Sequence, residues 1–359
     1  MSEDEKYMAR CIQLARNGQC GAAPNPMVGA VIVCEGRIIG EGYHIRCGEA
    51  HAEVNAIRSV RDESLLARST IYVSLEPCSH YGKTPPCADL IIAKRIPRVV
   101  VGCVDPFAQV SGRGIAKLRE AGVQVTVGVL EQECRELNRR FIISHRQERP
   151  YVILKWAQSA DGFIDAHRTD SSRKPVLFSN PITSTLVHRL RAGVDAILVG
   201  RHTALLDNPS LTVRHWQGRS PLRIVIDRRL TLPSTLNLFD GTHPTLVVTC
   251  EKPTNPISQV EYFVTESDRP ILPQLMEELY CRKIQTLLVE GGTTLLQSFI
   301  DASLWDEIRV ETAPFNLYQG VEAPCLPVGI HSIEEQTIES NLLQTFYRPG
   351  CMNQGKEKG

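Results

Sequence analysis

The sequence predicts a protein of two α/β domains, and three observations predict it. The chain has 359 residues, roughly twice what one ordinary core organises. Segments with apolar residues at helical spacing alternate with short β-branched runs along most of its length. The charged stretch Ser144-His145-Arg146-Gln147-Glu148-Arg149-Pro150 interrupts that alternation, and Tyr151-Val152-Ile153-Leu154 restarts it. These features place one domain at 1–146 and a second at 150–345. Residues 346–359, rich in Gly and Lys and poor in apolar residues, are expected to form a loose tail.

In chain order, Met8, Cys11, Ile12 and Ala15 repeat at helical spacing and stop at Gly18. Two β-branched runs, 28–33 and 37–40, flank Glu35-Gly36 and read as a hairpin. A helix over 50–60, a strand over 70–75, a helix over 87–94, a strand over 98–103, a helix over 114–120 and a strand over 123–129 complete the first alternation. In the second half, strands are expected at 151–154, 196–199, 223–226, 246–249, 286–289 and 307–311, with helices between some of them.

Forty Lys plus Arg balance forty Asp plus Glu, so the broad basic field that attracts long nucleic acids is absent. No apolar run of about twenty residues is present to span a membrane. The acidic start, Met1-Ser2-Glu3-Asp4-Glu5-Lys6, leads directly into the first helical pattern without a signal-like apolar stretch, which predicts a cytoplasmic protein. Twelve scattered Cys suit reduced thiols. Cys11, Cys34 and Cys103 lie in apolar segments and read as core fillers.

The first chemical constellation is His51-Ala52-Glu53 at a helix start, Glu76-Pro77-Cys78 at a strand end, and Cys87, with eight residues between the two cysteines. His51, Cys78 and Cys87 would give zinc one imidazole and two thiolates and leave a fourth position for water. Such a water loses its proton near neutral pH and can attack an amidine-like carbon, with Glu53 carrying protons to departing ammonia. His51 and Glu53 are two apart, so both reach one metal only if it sits over the first turn of the helix. Pro85-Pro86-Cys87 marks a second helix start aimed at the same point. The alternative is a closed structural zinc site with His80 as fourth ligand and Glu53 as a solvated helix residue.

In the second half, Leu287-Leu288-Val289-Glu290-Gly291-Gly292-Thr293-Thr294 reads as a strand, a Gly pair and a helix, an arrangement that offers free N–H groups to phosphate. A plain tight turn reads equally well.

The first constellation resembles the zinc deaminases of the cytidine-deaminase-like fold, a three-layer α/β/α architecture, although the family signature has P-C-x-x-C and this chain has a longer insert. That insert, 79–86, with Pro24-Asn25-Pro26-Met27-Val28-Gly29 and Gly42-Tyr43-His44, resembles the riboflavin-biosynthesis pyrimidine deaminases. The resemblance implies that Asn25, His44 and Lys83 hold a diaminopyrimidine ribosyl phosphate. Asn25 beside two prolines also reads as a turn residue, and Lys83 as a solvated one.

The order Lys155, Ser159-Ala160-Asp161-Gly162, Leu190-Arg191-Ala192, Thr203, Asp207-Asn208-Pro209, Leu211-Thr212-Val213-Arg214, Ile224-Val225-Ile226-Asp227 and Glu290-Gly291-Gly292 resembles the reductase fused to that deaminase, which is similar in fold to dihydrofolate reductase and uses NADPH. The resemblance implies that Thr203, Asp207, Gly292, Thr293 and Thr294 touch the cofactor, and that Arg191, Leu211, Arg214 and Glu290 hold the substrate. Read alone, Arg191 is equally a helix-surface ion pair and Asp207 a turn residue before Asn-Pro. Where relatives carry Ser-x-Trp, this chain reads Lys174-Pro175-Val176-Leu177-Phe178-Ser179, so a cofactor-contacting Trp is missing.

Together these resemblances imply a bifunctional enzyme with zinc and NADPH as cofactors. It would hydrolyse the exocyclic amine of 2,5-diamino-6-ribosylamino-4(3H)-pyrimidinone 5′-phosphate, then reduce the ribosyl group to give 5-amino-6-ribitylaminouracil 5′-phosphate. Its partners are expected to be small phosphorylated pyrimidines, with no nucleic acid and no membrane, and it is expected to form a homo-oligomer. The competing readings are a deaminase with a non-catalytic second domain and a tRNA or nucleobase deaminase.

Overall fold

The strand Gly29–Cys34 is buried along its whole length, which its run of Ala, Val and Ile allows only if helices cover both faces. The computed structural model describes residues 1–19, 21–79, 85–105 and 112–349; Lys83 and His80 lie outside them. The chain forms two compact units, Met1–Gln147 and a second from Glu148 onward.

In the first unit the order is α1 (Glu3–Ala15), β1 (Gly29–Cys34), β2 (Arg37–Tyr43), α2 (Ala52–Arg58), β3 (Thr70–Leu75), α3 (Cys87–Ala93), β4 (Arg98–Cys103), α4 (Arg113–Glu120), β5 (Gln124–Val127), α5 (Glu131–Leu137) and α6 (Arg139–Gln147). Among the described residues the strands form one sheet in the order β2-β1-β3-β4-β5. β1 runs antiparallel to β2 and β3, while β3, β4 and β5 are parallel.

Alternation along the strands assigns the faces. Ala30, Ile32, Ile71, Val73, Val99 and Val101 pack against α2, α3 and α4. Val31, Val33, Tyr72, Leu75 and Val100 pack against Met8, Cys11 and Ile12 of α1 and Cys134 of α5. Each fully buried aliphatic side chain contributes about 1.5–3 kcal/mol. Ser2 starts α1 with a reciprocal cap to Glu5. A Cβ at Gly42 would lie 2.3 Å from Ala56 N and 2.6 Å from Ala52 O, so this glycine lets α2 lie directly on β2 and fixes where the helix begins.

The second unit contains β6 (Tyr151–Gln158), β7 (Phe163–Asp165), α7 (Pro181–Ala192), β8 (Ala196–Gly200), α8 (Arg201–Asp207), β9 (Leu222–Ile226), β10 (Thr245–Thr249), β11 (Val260–Val264), α9 (Ile271–Cys281), β12 (Thr286–Val289), α10 (Thr293–Asp301), β13 (Glu307–Thr312), β14 (Val321–Glu322), β15 (Glu334–Ile338) and β16 (Asn341–Tyr347). The described strands of its main sheet lie in the order β11-β10-β9-β8-β12-β6-β13-β16-β15. From β11 to β13 all neighbours are parallel, and β16 and β15 add an antiparallel edge. Asn180 caps α7 through Ile182 N and Thr183 N, with Pro181 in the first turn.

Three expectations are corrected. Ser144–Gln147 are the last turn of α6, so the charged stretch begins as a helix end, and α5 and α6 fill an interval to which no element had been assigned. Their few buried residues, Cys134, Ile142, Ile143 and Ser144, are too sparse to mark a long apolar stripe. β16 runs to Tyr347 with Phe346 buried, so the first two residues of the expected loose tail belong to the sheet. β15 was invisible because its face is exposed and its residues polar.

Candidate active sites

The local fold of the first unit brings three ligand atoms to one point. His51 sits at the cap of α2 in extended geometry, Cys78 follows β3, and Cys87 is the first residue of α3. His51 Nδ1 lies 3.6 Å from Cys78 Sγ and 3.3 Å from Cys87 Sγ. The backbone N–H of Cys87 donates to Cys78 Sγ at 3.3 Å. Tetrahedral zinc, with Zn–S about 2.3 Å and Zn–N about 2.0 Å, separates such ligand pairs by about 3.5–3.8 Å. The donor set therefore fits zinc.

The electrostatics agree. Cys78 is drawn down to about 4, first by hydrogen bonding from Cys87, with His51 assisting against the cost of burial. Cys87 is pushed far up, first by its bond to Cys78 and then by burial. Two adjacent thiols of which only one ionises need a cation before both become thiolates. His51 is raised, chiefly by its bond to Cys78. Glu53, 3% exposed, is raised to about 7, mainly by burial and next by the Cys78 charge.

His44 and Asn25 stand beside this cluster. The His44 ring meets the His51 ring edge-on at 5.4 Å between centroids. Its Nδ1 faces Ala50 O at 3.1 Å, and Asn25 Nδ2 lies 3.0 Å from its Nε2. Asn55 Nδ2 donates to Tyr43 O at 2.9 Å and Ala50 O at 3.3 Å, tying the start of α2 to the end of β2. Glu76 takes a structural part: its carboxylate accepts N–H groups of Asp105, Gly112, Gly114 and Ile115, which anchors the start of α4. The placement of Lys83 lies outside the described residues.

In the second unit, Arg191 near the end of α7 meets Glu290 just after β12, with Nη2–Oε2 2.5 Å and Nε–Oε1 3.1 Å. Burial works to raise the Glu290 carboxyl, but Arg191, aided by Lys155, outweighs it and holds the group below the usual range. Arg191 Nη1 also donates to Thr212 O at 3.4 Å, and Arg214 Nη1 to Thr212 Oγ1 at 3.2 Å. Four residues expected at the substrate, Arg191, Glu290, Arg214 and the buried Leu211, thus occupy connected positions. His188, which the sequence did not single out, accepts the backbone N–H of Arg214 on Nδ1 at 3.1 Å. It is lowered to about 4 by burial first and the Arg191 and Arg214 charges next.

Thr203 faces the Gly pair closely enough that a Cβ on Gly291 would sit 3.0 Å from its Cγ2. Gly292 caps α10 with φ 71°. Thr293 Oγ1 donates to Glu322 O at 2.5 Å, and Thr294 O accepts from Ser298 Oγ at 2.7 Å. Asp207, one turn after Thr203 on α8, has its carboxylate engaged by Arg168, which also bridges to Asp165 at 2.5 Å. The lone-residue signal for Arg168 is nil, because it lies in a polar loop. Leu177 is 82% exposed, whereas Phe178 is buried and stacks on Phe315 at 5.7 Å.

Residues 1–103 match the cytidine and deoxycytidylate deaminase zinc-binding region, and residues 150–338 match the RibD C-terminal domain. The fold and sites define a bifunctional enzyme, a zinc-dependent deaminase joined to an NADPH-dependent reductase. The riboflavin biosynthesis protein RibD of Aquifex aeolicus is 41% identical over 92% of each chain, and that of Escherichia coli is 36% identical over 93% of this chain and 94% of its own. A solved diaminohydroxyphosphoribosylaminopyrimidine deaminase/5-amino-6-(5-phosphoribosylamino)uracil reductase from Thermotoga maritima is 35% identical with a TM-score of 0.86, covering 96% of this chain and 98% of that one. RibD of Acinetobacter baumannii gives 30% and 0.85 over the same shares. The chain belongs to the RibD family of bifunctional riboflavin biosynthesis enzymes.

Proposed function

We propose that the first unit deaminates 2,5-diamino-6-ribosylamino-4(3H)-pyrimidinone 5′-phosphate and that the second reduces the deaminated product to 5-amino-6-ribitylaminouracil 5′-phosphate. The observation that carries the first half is the convergence of one imidazole and two thiols, His51, Cys78 and Cys87, with the buried carboxyl of Glu53 in the first turn of the helix that His51 caps. A carboxyl held there can accept a proton from water and return it to a leaving group. Zinc held by His51, Cys78 and Cys87 supplies a Lewis acid that makes water nucleophilic near neutral pH. Glu53 takes the proton of the attacking water and passes it to the exocyclic nitrogen, which leaves as ammonia. Asn25 and His44 orient the pyrimidine, and Lys83 meets its phosphate.

For the second half, bound NADPH would supply a hydride; C1 of the sugar would gain that hydrogen as its ring C1–O bond opens, and the freed ring oxygen would take a proton from water. Thr203, Asp207, Gly292, Thr293 and Thr294 bind the cofactor, while Arg191, Leu211, Arg214 and Glu290 orient the substrate. Arginine forks suit its phosphate. Holding donor and acceptor together matters more here than a strong acid or base.

Among the described residues no helix is long and apolar enough to cross a membrane, and the described cysteines are free thiols. The reading includes a cytoplasmic homo-oligomer acting on small molecules rather than nucleic acid, checked by cell fractionation and light scattering. The central test follows ammonia release and NADPH absorbance together on the zinc-loaded enzyme. Ammonia first and NADPH consumption after it is the expected result. Ammonia without NADPH consumption removes the reductase assignment, and neither signal removes the substrate.

A further inference from the structure

We propose that Asn138 is a positioning residue of the deaminase site, gripping the backbone of Met27 and thereby setting where Asn25 meets the substrate. The inference rests on the role given to Asn25 above. Met27 N donates to Asn138 Oδ1 at 2.8 Å, and Asn138 Nδ2 donates to Met27 O at 2.9 Å. One amide side chain thus satisfies both polar groups of one peptide residue, as a neighbouring strand would. Asn138 is 2% exposed, so water does not compete for either bond.

The loop has few backbone donors with which to hold itself, because two of its four residues are prolines. Of Pro24-Asn25-Pro26-Met27, the prolines have no N–H to donate. The N–H of Asn25 bonds locally to Ala22 O at 2.8 Å. The loop is next held at Val28, whose carbonyl accepts from His44 N at 2.9 Å, and at Gly29, whose N–H donates to Ser74 Oγ at 3.1 Å. On that flank Met27 is a backbone tether two residues from Asn25, whose own Nδ2 also meets His44 Nε2 at 3.0 Å.

The base of the clasp is itself fixed. Asn138 joins α5 to α6, its backbone N–H bonding to Arg135 O at 3.2 Å and its carbonyl accepting from Ile142 N at 2.9 Å. Cys134, one turn earlier, is buried against α1 and the sheet. Residues 131–147 lie beyond the 1–103 zinc-region match, so the substrate side of the site is supported by a segment outside that region.

The test uses full-length, zinc-loaded enzyme and the diaminopyrimidine phosphate. Asn138→Ala is expected to raise the KM for ammonia release by about tenfold or more, with zinc content and NADPH turnover on supplied deaminated product unchanged. Asn138→Asp keeps the acceptor for Met27 N–H but sets a second acceptor oxygen against Met27 O in a buried site, so its KM is expected to rise at least as far as that of the Ala variant. In an Asn25→Ala background, Asn138→Ala is expected to add no more than roughly twofold, because it acts through the missing side chain. An unchanged KM in the folded single variant, or the same fold-change in both backgrounds, overturns the proposal. If the Ala variant does not fold, the Asp variant is read through the same cycle. If wild type releases no ammonia, the substrate reading fails separately, and hydrogen exchange at the Met27 amide decides the clasp: faster exchange in Asn138→Ala, or in Asn138→Leu if the Ala variant does not fold, supports it and unchanged exchange overturns it.

Discussion

The two units build their sites in different ways. In the first, three side chains from the ends of different elements converge on one point, and each carries a chemistry few residue types supply. In the second, the residues proposed for the site are paired charges and a glycine turn, Arg191 with Glu290 and Thr203 against Gly291 and Gly292. A metal site is defined by donor atoms, so single substitutions are decisive. A site that positions a cofactor and a substrate distributes the work, so single substitutions are graded.

The largest expected effect breaks the first site alone. Removing zinc with a chelator, or Cys87→Ser, should abolish ammonia release and metal content while NADPH oxidation on supplied deaminated product continues. Loss of both activities together would mean that the units are not functionally separable. Glu53→Gln should retain zinc yet slow ammonia release by about a thousandfold; assay of both products separates this from misfolding. Arg191→Ala leaves Glu290 charged, buried and unpaired, at a cost of about 3–5 kcal/mol, measured by denaturation of the second unit, and NADPH turnover should fall with it.

Acid sharpens the contrast within the second unit. The Glu290 carboxyl is held below its ordinary value of 4.5. Its contribution to stability is therefore fully present above that ordinary value and is lost as pH falls through the lower folded one. Denaturation against pH should show that loss in wild type and a flatter acid limb in Glu290→Gln. The smallest effect is expected from Gly292→Ala, where φ 71° strains an L residue and the added Cβ approaches Thr203 Oγ1 at 3.2 Å. A cost of about 1–3 kcal/mol should appear as a higher KM for NADPH, and an unchanged KM would remove the turn from the cofactor site.

Legibility followed the same division. His51, Glu53, Cys78 and Cys87 could be read because their types and order imply a metal before any contact is known. β3 and β4 could be read because β-branched runs buried on both faces leave little choice of structure. Glu290 and Arg191 were named through resemblance, and their pairing needed the fold, since 99 residues separate them. His188, Arg168 and Asn138 were missed because each acts on backbone or on another charge, and such roles leave no pattern in local sequence. α5 and α6 were missed for a related reason, as α5 buries only Cys134 against the sheet and α6 buries only three residues.

The sheet order of the second unit also bears on how the enzyme is made. β6, the unit's first strand, lies between β12 and β13, whose residues follow it by more than a hundred positions. A ribosome adding about 5–20 residues per second delivers those partners roughly six to thirty seconds after β6 emerges. During that interval the apolar run Tyr151–Leu154 has no native neighbours and is open to chaperones or to other nascent chains. The first unit, whose β1 pairs with β2 and β3 nearby in sequence, is under no such delay. Newly made chains would therefore acquire deaminase competence first, and faults in synthesis would fall chiefly on the reductase.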